Sequence, residues 1–84
     1  RWVPAAKLLR QVEADARMLS AGRHVLAIVS DGDVQIAGAE TELLSAMGNL
    51  VGNAVRYTPD GGRIDIRWRL LNGGAGEFSV RDTG

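Results

Sequence analysis

The amino-acid sequence predicts a two-layer α/β (α+β) sandwich, with helices on one face of a mixed, mainly antiparallel sheet. Two long segments carry apolar residues at helical spacing, and the segment 63–71 alternates strictly between apolar and charged residues. Short segments rich in branched residues are separated by turns that contain glycine and aspartate. Taken in chain order, these patterns predict the element order αββαββ in one small domain.

The first predicted helix covers residues 3–20. Pro4 suits a first-turn position, where its missing N–H costs nothing, and Ala21-Gly22 ends the helix. The apolar positions that recur at helical spacing, and are expected to face the core, are Leu9, Val12, Ala16 and Leu19.

A hairpin is predicted to follow this helix. Residues 24–30 have the length and the branched side chains of a short strand. The segment "SDGD" (30–33) has turn chemistry, and "VQIAG" (34–38) alternates as a partner strand would.

The second predicted helix covers residues 40–57 and ends in the turn 58–62. Its broad apolar face consists of Leu43, Leu44, Met47, Leu50, Val51, Ala54 and Val55.

A second hairpin completes the predicted sheet. In "RIDIRWRLL" (63–71), alternate residues are apolar, which is the pattern of a strand with one buried face. The segment "NGGAG" (72–76) is predicted to be the hairpin loop, and "EFSVRDTG" (77–84) begins as another strand. The side chains expected to point inward from 63–71 are Ile64, Ile66, Trp68 and Leu70.

Composition excludes several classes of function. The 84 residues include ten basic and ten acidic ones and no cysteine. A balanced charge argues against a general nucleic-acid binder, which needs a positive field to displace counterions from phosphates. The absence of cysteine rules out disulfides and thiolate metal ligands.

Both ends of the chain predict that it is a segment of a longer protein. It begins at Arg1 without a methionine and stops at "RDTG" (81–84), in the middle of a motif described below. It contains no signal peptide and no apolar run near the ~20 residues that span a bilayer.

Four polar residues of the second helix predict a nucleotide site. Asn49, Asn53 and Tyr57 are one turn apart, and Arg56 lies one turn from Asn53, so all four project from one edge. An asparagine oxygen suits Mg²⁺, an arginine fork fits phosphate oxygens, and a tyrosine ring can stack on a base. The alternative is a solvated helix face with a packing tyrosine, and the cluster alone leaves both open.

The arrangement of the motifs resembles the ATP-binding catalytic domain of sensor histidine kinases. The run "NLVGNAVRYTP" (49–59) looks like the N box of that family, and Asp82-Thr83-Gly84 looks like the start of its D-x-G-x-G box. The resemblance covers essentially residues 1–84, which would form the N-terminal part of a truncated histidine-kinase-type ATPase fold. The run from 49 to 84 looks most similar to the phosphate-regulon sensor kinases.

This resemblance implies ATP and Mg²⁺ as ligands and assigns roles to residues of the helix. Asn53 would be the Mg²⁺ ligand, and Asn49 would lie beside the metal and the phosphates. Arg56 stands where the family places a basic residue against phosphate.

The resemblance also assigns the base-binding residues. Tyr57 would lie against adenine, and Asp82 would accept a hydrogen bond from the adenine amino group. An unpaired acceptor would then penalise a mismatched base. Gly84 would let the backbone pass close to the nucleotide.

A neutral residue at position 49 bears on the reaction. Related chaperone and topoisomerase ATPases have a water-activating glutamate where Asn49 stands, and asparagine cannot act as a general base. The resemblance therefore implies transfer of the γ-phosphate to a histidine on a separate dimerisation helix, and from there to a response regulator. That acceptor histidine is absent from this segment, because His24 lacks the acidic neighbour and long helix that the acceptor site uses. A surface or strand-edge position is expected for His24.

Three functions stand on these observations. The first is an enzyme, as part of a protein histidine kinase in the cytoplasmic part of a bacterial sensor anchored in the inner membrane. The second is a non-catalytic ATP-binding scaffold of the same fold, and the third is a protein-interaction domain. By itself the segment is expected to be inactive, to bind nucleotide weakly or not at all, and to self-associate through an exposed sheet edge.

Overall fold

The predicted two-layer α+β architecture is confirmed in a computed structural model that describes residues 2–31, 34–71 and 76–83. The observed order begins with a strand that the sequence did not predict, which changes αββαββ to βαββαββ. The elements are β1 (Trp2–Pro4), α1 (Ala5–Ser20), β2 (Val25–Ser30), β3 (Gln35–Ala37), α2 (Glu40–Tyr57), β4 (Arg63–Leu70) and β5 (Gly76–Asp82).

The start of α1 differs from the prediction, and its end agrees with it. Pro4 is extended, with φ −62° and ψ 129°, and it precedes the helix as its N-cap instead of lying in the first turn. The helix ends at Ser20, and its C-cap residue Ala21 has a left-handed φ of 51° and an N–H that donates to the Arg17 carbonyl. This backbone conformation stops the helix, as the predicted Ala21-Gly22 boundary requires.

The hairpin predicted between residues 24–30 and 34–38 is wrong. Instead, β3 pairs antiparallel with β1, with Val3 opposite Ile36, in a separate two-stranded sheet. The strand β2 pairs parallel with β4, from Val25 opposite Arg63 to Ser30 opposite Trp68. Parallel neighbours need a crossover connection, and β3 with α2 provides it.

The larger sheet has the strand order β2-β4-β5, and β4 and β5 pair antiparallel as predicted. The predicted loop residues 72–75 and the turn residues 32–33 lie outside the described part of the chain. Both helices cover one face of this sheet: α1 packs against β2, and α2 packs against β4 and β5. Ile64 and Ile66 of the middle strand are fully buried beneath them.

Three predicted core positions are wrong, because Leu19 and Leu70 lie at the ends of α1 and β4 and Leu50 lies at the edge of the buried face of α2. Leu19, Leu50 and Leu70 are 53%, 49% and 45% exposed. Ser20 takes the buried position in the last turn of α1, and its hydroxyl bonds to His24. Neither described helix combines the length and apolar composition that crossing a bilayer requires.

Truncating Ile66 to alanine should lower the free energy of unfolding by about 3 kcal/mol, since it removes fully buried methyl groups from the middle strand. Leu70→Ala at the end of the same strand should cost about 1 kcal/mol or less, because Leu70 is half exposed. Urea denaturation of both variants measures the difference. Equal losses would contradict the burial of Ile66 and the exposure of Leu70.

Candidate nucleotide site

The four polar residues predicted on the second helix form an exposed stripe on α2. This helix runs from Glu40 to Tyr57 as predicted, so Asn49, Asn53 and Tyr57 lie one turn apart on it. All four residues of the stripe are exposed, and the Tyr57 side chain is 68% exposed. The opposite side of α2 is the core side, with Met47, Val51, Ala54 and Val55 buried.

The polar groups of the α2 stripe have no protein partners within the described residues. The amides of Asn49 and Asn53 are outside the side-chain hydrogen bonds formed there, and no described carboxylate pairs with Arg56. Arg56 also lies in the last turn of α2, where a cation is favoured by the helix dipole. Toward residues 2–31, 34–71 and 76–83, these amide oxygens and guanidinium donors are therefore unpaired and available to a ligand.

Asp82 lies at the end of the strand that packs against α2. It is the last residue of β5, and it stands opposite the fully buried Ile64 in the antiparallel register. Paired residues share one face of a sheet, so Asp82 belongs to the face that the helices cover. Its own carboxylate is exposed because β5 ends there. The predicted Gly84 lies outside the described residues.

The turn between α2 and β4 lies against the end of β5. The N–H of Gly62 donates to the Pro59 carbonyl at 3.0 Å. A Cβ at Gly62 would overlap the Thr58 Cγ2 methyl and would lie 3.1 Å from Thr83 Oγ1. The Thr83 hydroxyl in turn accepts a hydrogen bond from the Arg63 N–H at 3.0 Å. Gly62 is thus the contact point of the two elements, a role that the pattern "PDGG" (59–62) does not reveal although it predicts the turn.

Gly62→Ala should lower the free energy of unfolding by about 1–3 kcal/mol, because the added methyl group must displace Thr58 or Thr83. The matched control is Gly48→Ala in α2, where a Cβ has open space. This change should stabilise the helix by about 0.5–1 kcal/mol. Thermal or urea unfolding measures both, and a neutral Gly62→Ala would contradict the close approach.

The described residues offer Mg²⁺ a ligand but no complete metal site. They contain no group of three or more His, Cys, Asp or Glu side chains that could hold an ion. Mg²⁺ is commonly bound by one or two protein oxygens, with substrate phosphates and water completing its shell. The amide oxygens of the α2 stripe suit a site of this kind, in which the protein supplies only one or two ligands.

Comparison with known proteins decides which family this arrangement belongs to. The sequence pattern of the family described as "Histidine kinase-, DNA gyrase B-, and HSP90-like ATPase" matches residues 38–84, more than half of the chain. The chain belongs to this ATPase family. The matched part of the ATPase domain contains α2, β4 and β5, the elements that carry the α2 stripe and Asp82.

Sensor proteins are among the relatives of this ATPase domain. It is 51% identical over 78 residues to the phosphate regulon sensor protein PhoR of Pseudomonas aeruginosa. This alignment covers 92% of this chain and 17% of that protein. The protein of the same name from Haemophilus influenzae is 27% identical over 77 residues, covering 92% of this chain and 18% of that protein. The predicted similarity to phosphate-regulon sensor kinases is confirmed, and the chain spans less than one fifth of the length of these relatives.

A solved structure shows the same fold. The mycobacterial sensor histidine kinase MprB superposes with a TM-score of 0.90 over 100% of this chain and 54% of that chain, at 21% sequence identity. The strand β1 and the parallel β2–β4 pair, which the sequence did not predict, lie within the part of the chain that superposes on this solved structure.

Proposed function

We propose that this ATPase domain segment binds Mg-ATP and forms the N-terminal part of the catalytic domain of a sensor histidine kinase. The observation that carries the proposal is the α2 stripe of uncommitted ligand groups, placed on a helix that packs against the strand ending in Asp82. Metal, phosphate and base would each meet a suitable chemical group there.

Each residue of the site has a distinct proposed role. Asn53 supplies an oxygen ligand to Mg²⁺, and Asn49 lies beside the metal and the phosphates. The Arg56 guanidinium binds phosphate oxygens, which is favoured because no described carboxylate neutralises it. The metal, when bound, neutralises charge on the phosphates.

The base is proposed to lie between α2 and the end of β5. The exposed Tyr57 ring offers a flat apolar surface at the last residue of the helix. Asp82 would border the other side. The Asp82 carboxylate accepts a hydrogen bond from the exocyclic amino group, which selects adenine over guanine.

The proposed reaction is phosphoryl transfer rather than hydrolysis. No residue of the α2 stripe can act as a general base toward water, because Asn49 is neutral. Positioning and charge neutralisation suffice for transfer to a well-placed nucleophile. We propose that this nucleophile is a histidine on a dimerisation helix of the whole protein, which passes the phosphoryl group to a response regulator. The whole protein is proposed to be a membrane-anchored two-component sensor with this domain in the cytoplasm.

The test is a calorimetric titration of the full protein that contains this segment with ATP and GTP, each with and without Mg²⁺. Saturable binding of Mg-ATP is expected, weaker without Mg²⁺ and weaker for GTP. Absence of saturable ATP binding would overturn the proposal. A parallel incubation with labelled ATP should give an acid-labile phosphohistidine. Nucleotide binding without any phosphohistidine would instead favour a non-catalytic scaffold.

The same titration of residues 1–84 alone measures how much of the pocket this segment supplies. We expect weak or undetectable binding, because the segment spans less than one fifth of the length of its relatives. Sedimentation of the segment measures the self-association predicted from its sequence. A monodisperse monomer would contradict that prediction.

A further inference from the structure

His24 joins the end of α1 to the turn that follows α2. Its ring Nδ1 lies 2.9 Å from the Ser20 hydroxyl oxygen, and its Nε2 lies 2.8 Å from the Thr58 carbonyl oxygen. Its backbone N–H donates to the same Ser20 oxygen at 3.1 Å. Thr58 is separated from His24 by 34 positions in the sequence and directly follows Tyr57, the last residue of α2.

The hydrogen-bond partners determine which ring nitrogen carries the proton. A carbonyl oxygen only accepts, so Nε2 must carry the hydrogen that points at Thr58. The Ser20 oxygen already accepts the His24 backbone N–H, and its own hydroxyl hydrogen is free to donate to Nδ1. The neutral Nε2–H form of the ring therefore satisfies all three groups at once.

The Thr58 carbonyl needs this donor because the residue is buried. Thr58 is 4% exposed, and a buried carbonyl without a donor is costly. Carbonyl groups at the end of a helix lack partners within the helix, so another part of the chain must supply them. Among the described residues, the His24 ring provides that donor for Thr58.

Neighbouring bonds hold the same two segments together through their backbones. The Gly61 N–H donates to the Arg23 carbonyl, and the Val25 N–H donates to the Gly62 carbonyl at 2.9 Å. Arg23 and Asp60 also form an exposed ion pair at 3.7 Å. These bonds hold the turn itself, whereas the His24 bond reaches back to the residue next to Tyr57.

We propose that His24 is a positioning residue for the nucleotide site, acting through Thr58 to fix the last turn of α2. The Tyr57 ring is 68% exposed, so packing does little to hold it, and its place depends on the backbone beneath it. Fixing that backbone before the base arrives reduces the entropy lost on binding. This inference rests on the proposed function.

The first test is independent of nucleotide. Nitrogen-15 NMR of the histidine ring at about pH 8, where an ordinary histidine is neutral, should show Nε2 protonated and Nδ1 bare. The amide signals of Tyr57 and Thr58 should move in His24→Asn more than the amide signals of β5. A ring protonated at Nδ1, or unmoved Tyr57 and Thr58 signals, would overturn the proposal.

The second test compares two amide replacements of different reach. The Gln side chain in His24→Gln places its N–H₂ group near the position of Nε2, whereas the shorter Asn side chain in His24→Asn does not reach Thr58. In the full protein, His24→Asn should weaken Mg-ATP binding about three- to tenfold, the effect of losing one hydrogen bond. His24→Gln should stay within about twofold of the wild type.

A destabilised control separates positioning from stability. Val12→Ala removes a buried methyl pair from the middle of α1 and should lower stability without changing nucleotide affinity. If His24→Asn bound Mg-ATP with wild-type affinity, the positioning role of His24 would be overturned and the proposed nucleotide binding would not. Equal weakening in Val12→Ala would show that any loss of stability has the same effect, and would also overturn it. Absence of nucleotide binding by the wild type would overturn the proposed function first.

Discussion

Asn53→Ala should weaken the binding of Mg-ATP about a hundredfold, because bonds to charged groups contribute up to about 3 kcal/mol. Asn53 lies in the middle of the α2 stripe, exposed and without a protein partner among the described residues. Its removal should therefore leave the fold intact and remove only a ligand of the metal. Calorimetric titration of the full protein with ATP, in the presence and absence of Mg²⁺, measures the effect.

Two further variants sharpen this prediction. Gln11→Ala removes an exposed amide from α1, where its only described side-chain bond is to Asp15, and it should bind Mg-ATP as the wild type does. Asn53→Asp keeps an oxygen ligand and should lose less affinity than Asn53→Ala when Mg²⁺ is present. An Asn53→Ala protein that retains Mg-dependent binding would show that the metal is held elsewhere.

Asp82→Ala should reduce the preference for ATP over GTP by about tenfold to a hundredfold. The adenine amino group, buried on binding, would lose its acceptor, and an unpaired buried donor costs about 1–3 kcal/mol. The expected change is weaker ATP binding, with GTP binding retained or strengthened because the unpaired acceptor that penalised guanine is gone. Asp82 stands on the helix-covered face at the end of β5, a strand that packs against α2, which is where the proposed site would hold the base. Competition of both nucleotides against a fluorescent adenine nucleotide measures the ratio.

The matched control for this change is Asp15→Ala. Asp15 is an exposed carboxylate on α1 that accepts a hydrogen bond from Gln11, and its loss should leave the ATP/GTP ratio unaltered. If Asp82→Ala weakened both nucleotides equally, the carboxylate would support the site without reading the base. The proposed selectivity for adenine would then be wrong.

The long elements of this fold could be predicted from the sequence because their own periodicity defines them. The helix α2 has the predicted bounds, and the alternation around Ile64 and Ile66 correctly gave the buried face of β4. The pairing of short strands could not be predicted in this way. The strand β3 has only three residues, too few for their pattern to specify which strand it pairs with. The strand β1 could not be predicted because its Pro4 also suits the start of a helix.

In the candidate site, too, the arrangement within one element could be predicted and the contacts between elements could not. The α2 stripe follows from spacing within one helix, so the sequence predicts which of its residues share an edge. The packing of α2 on β5, the close approach at Gly62 and the bond from His24 to Thr58 join residues from separate elements. No local pattern in the sequence determines these contacts.

The central position of β4 has a consequence for how this domain assembles. The β4–β5 hairpin can form from neighbouring residues, whereas β2 can join β4 only after the chain between them has crossed over the sheet. The helix that carries the α2 stripe lies inside that crossover. We therefore expect the ability to bind nucleotide to arise in the slow, long-range step of folding. A chain halted before that step would contain a native hairpin and no competent site.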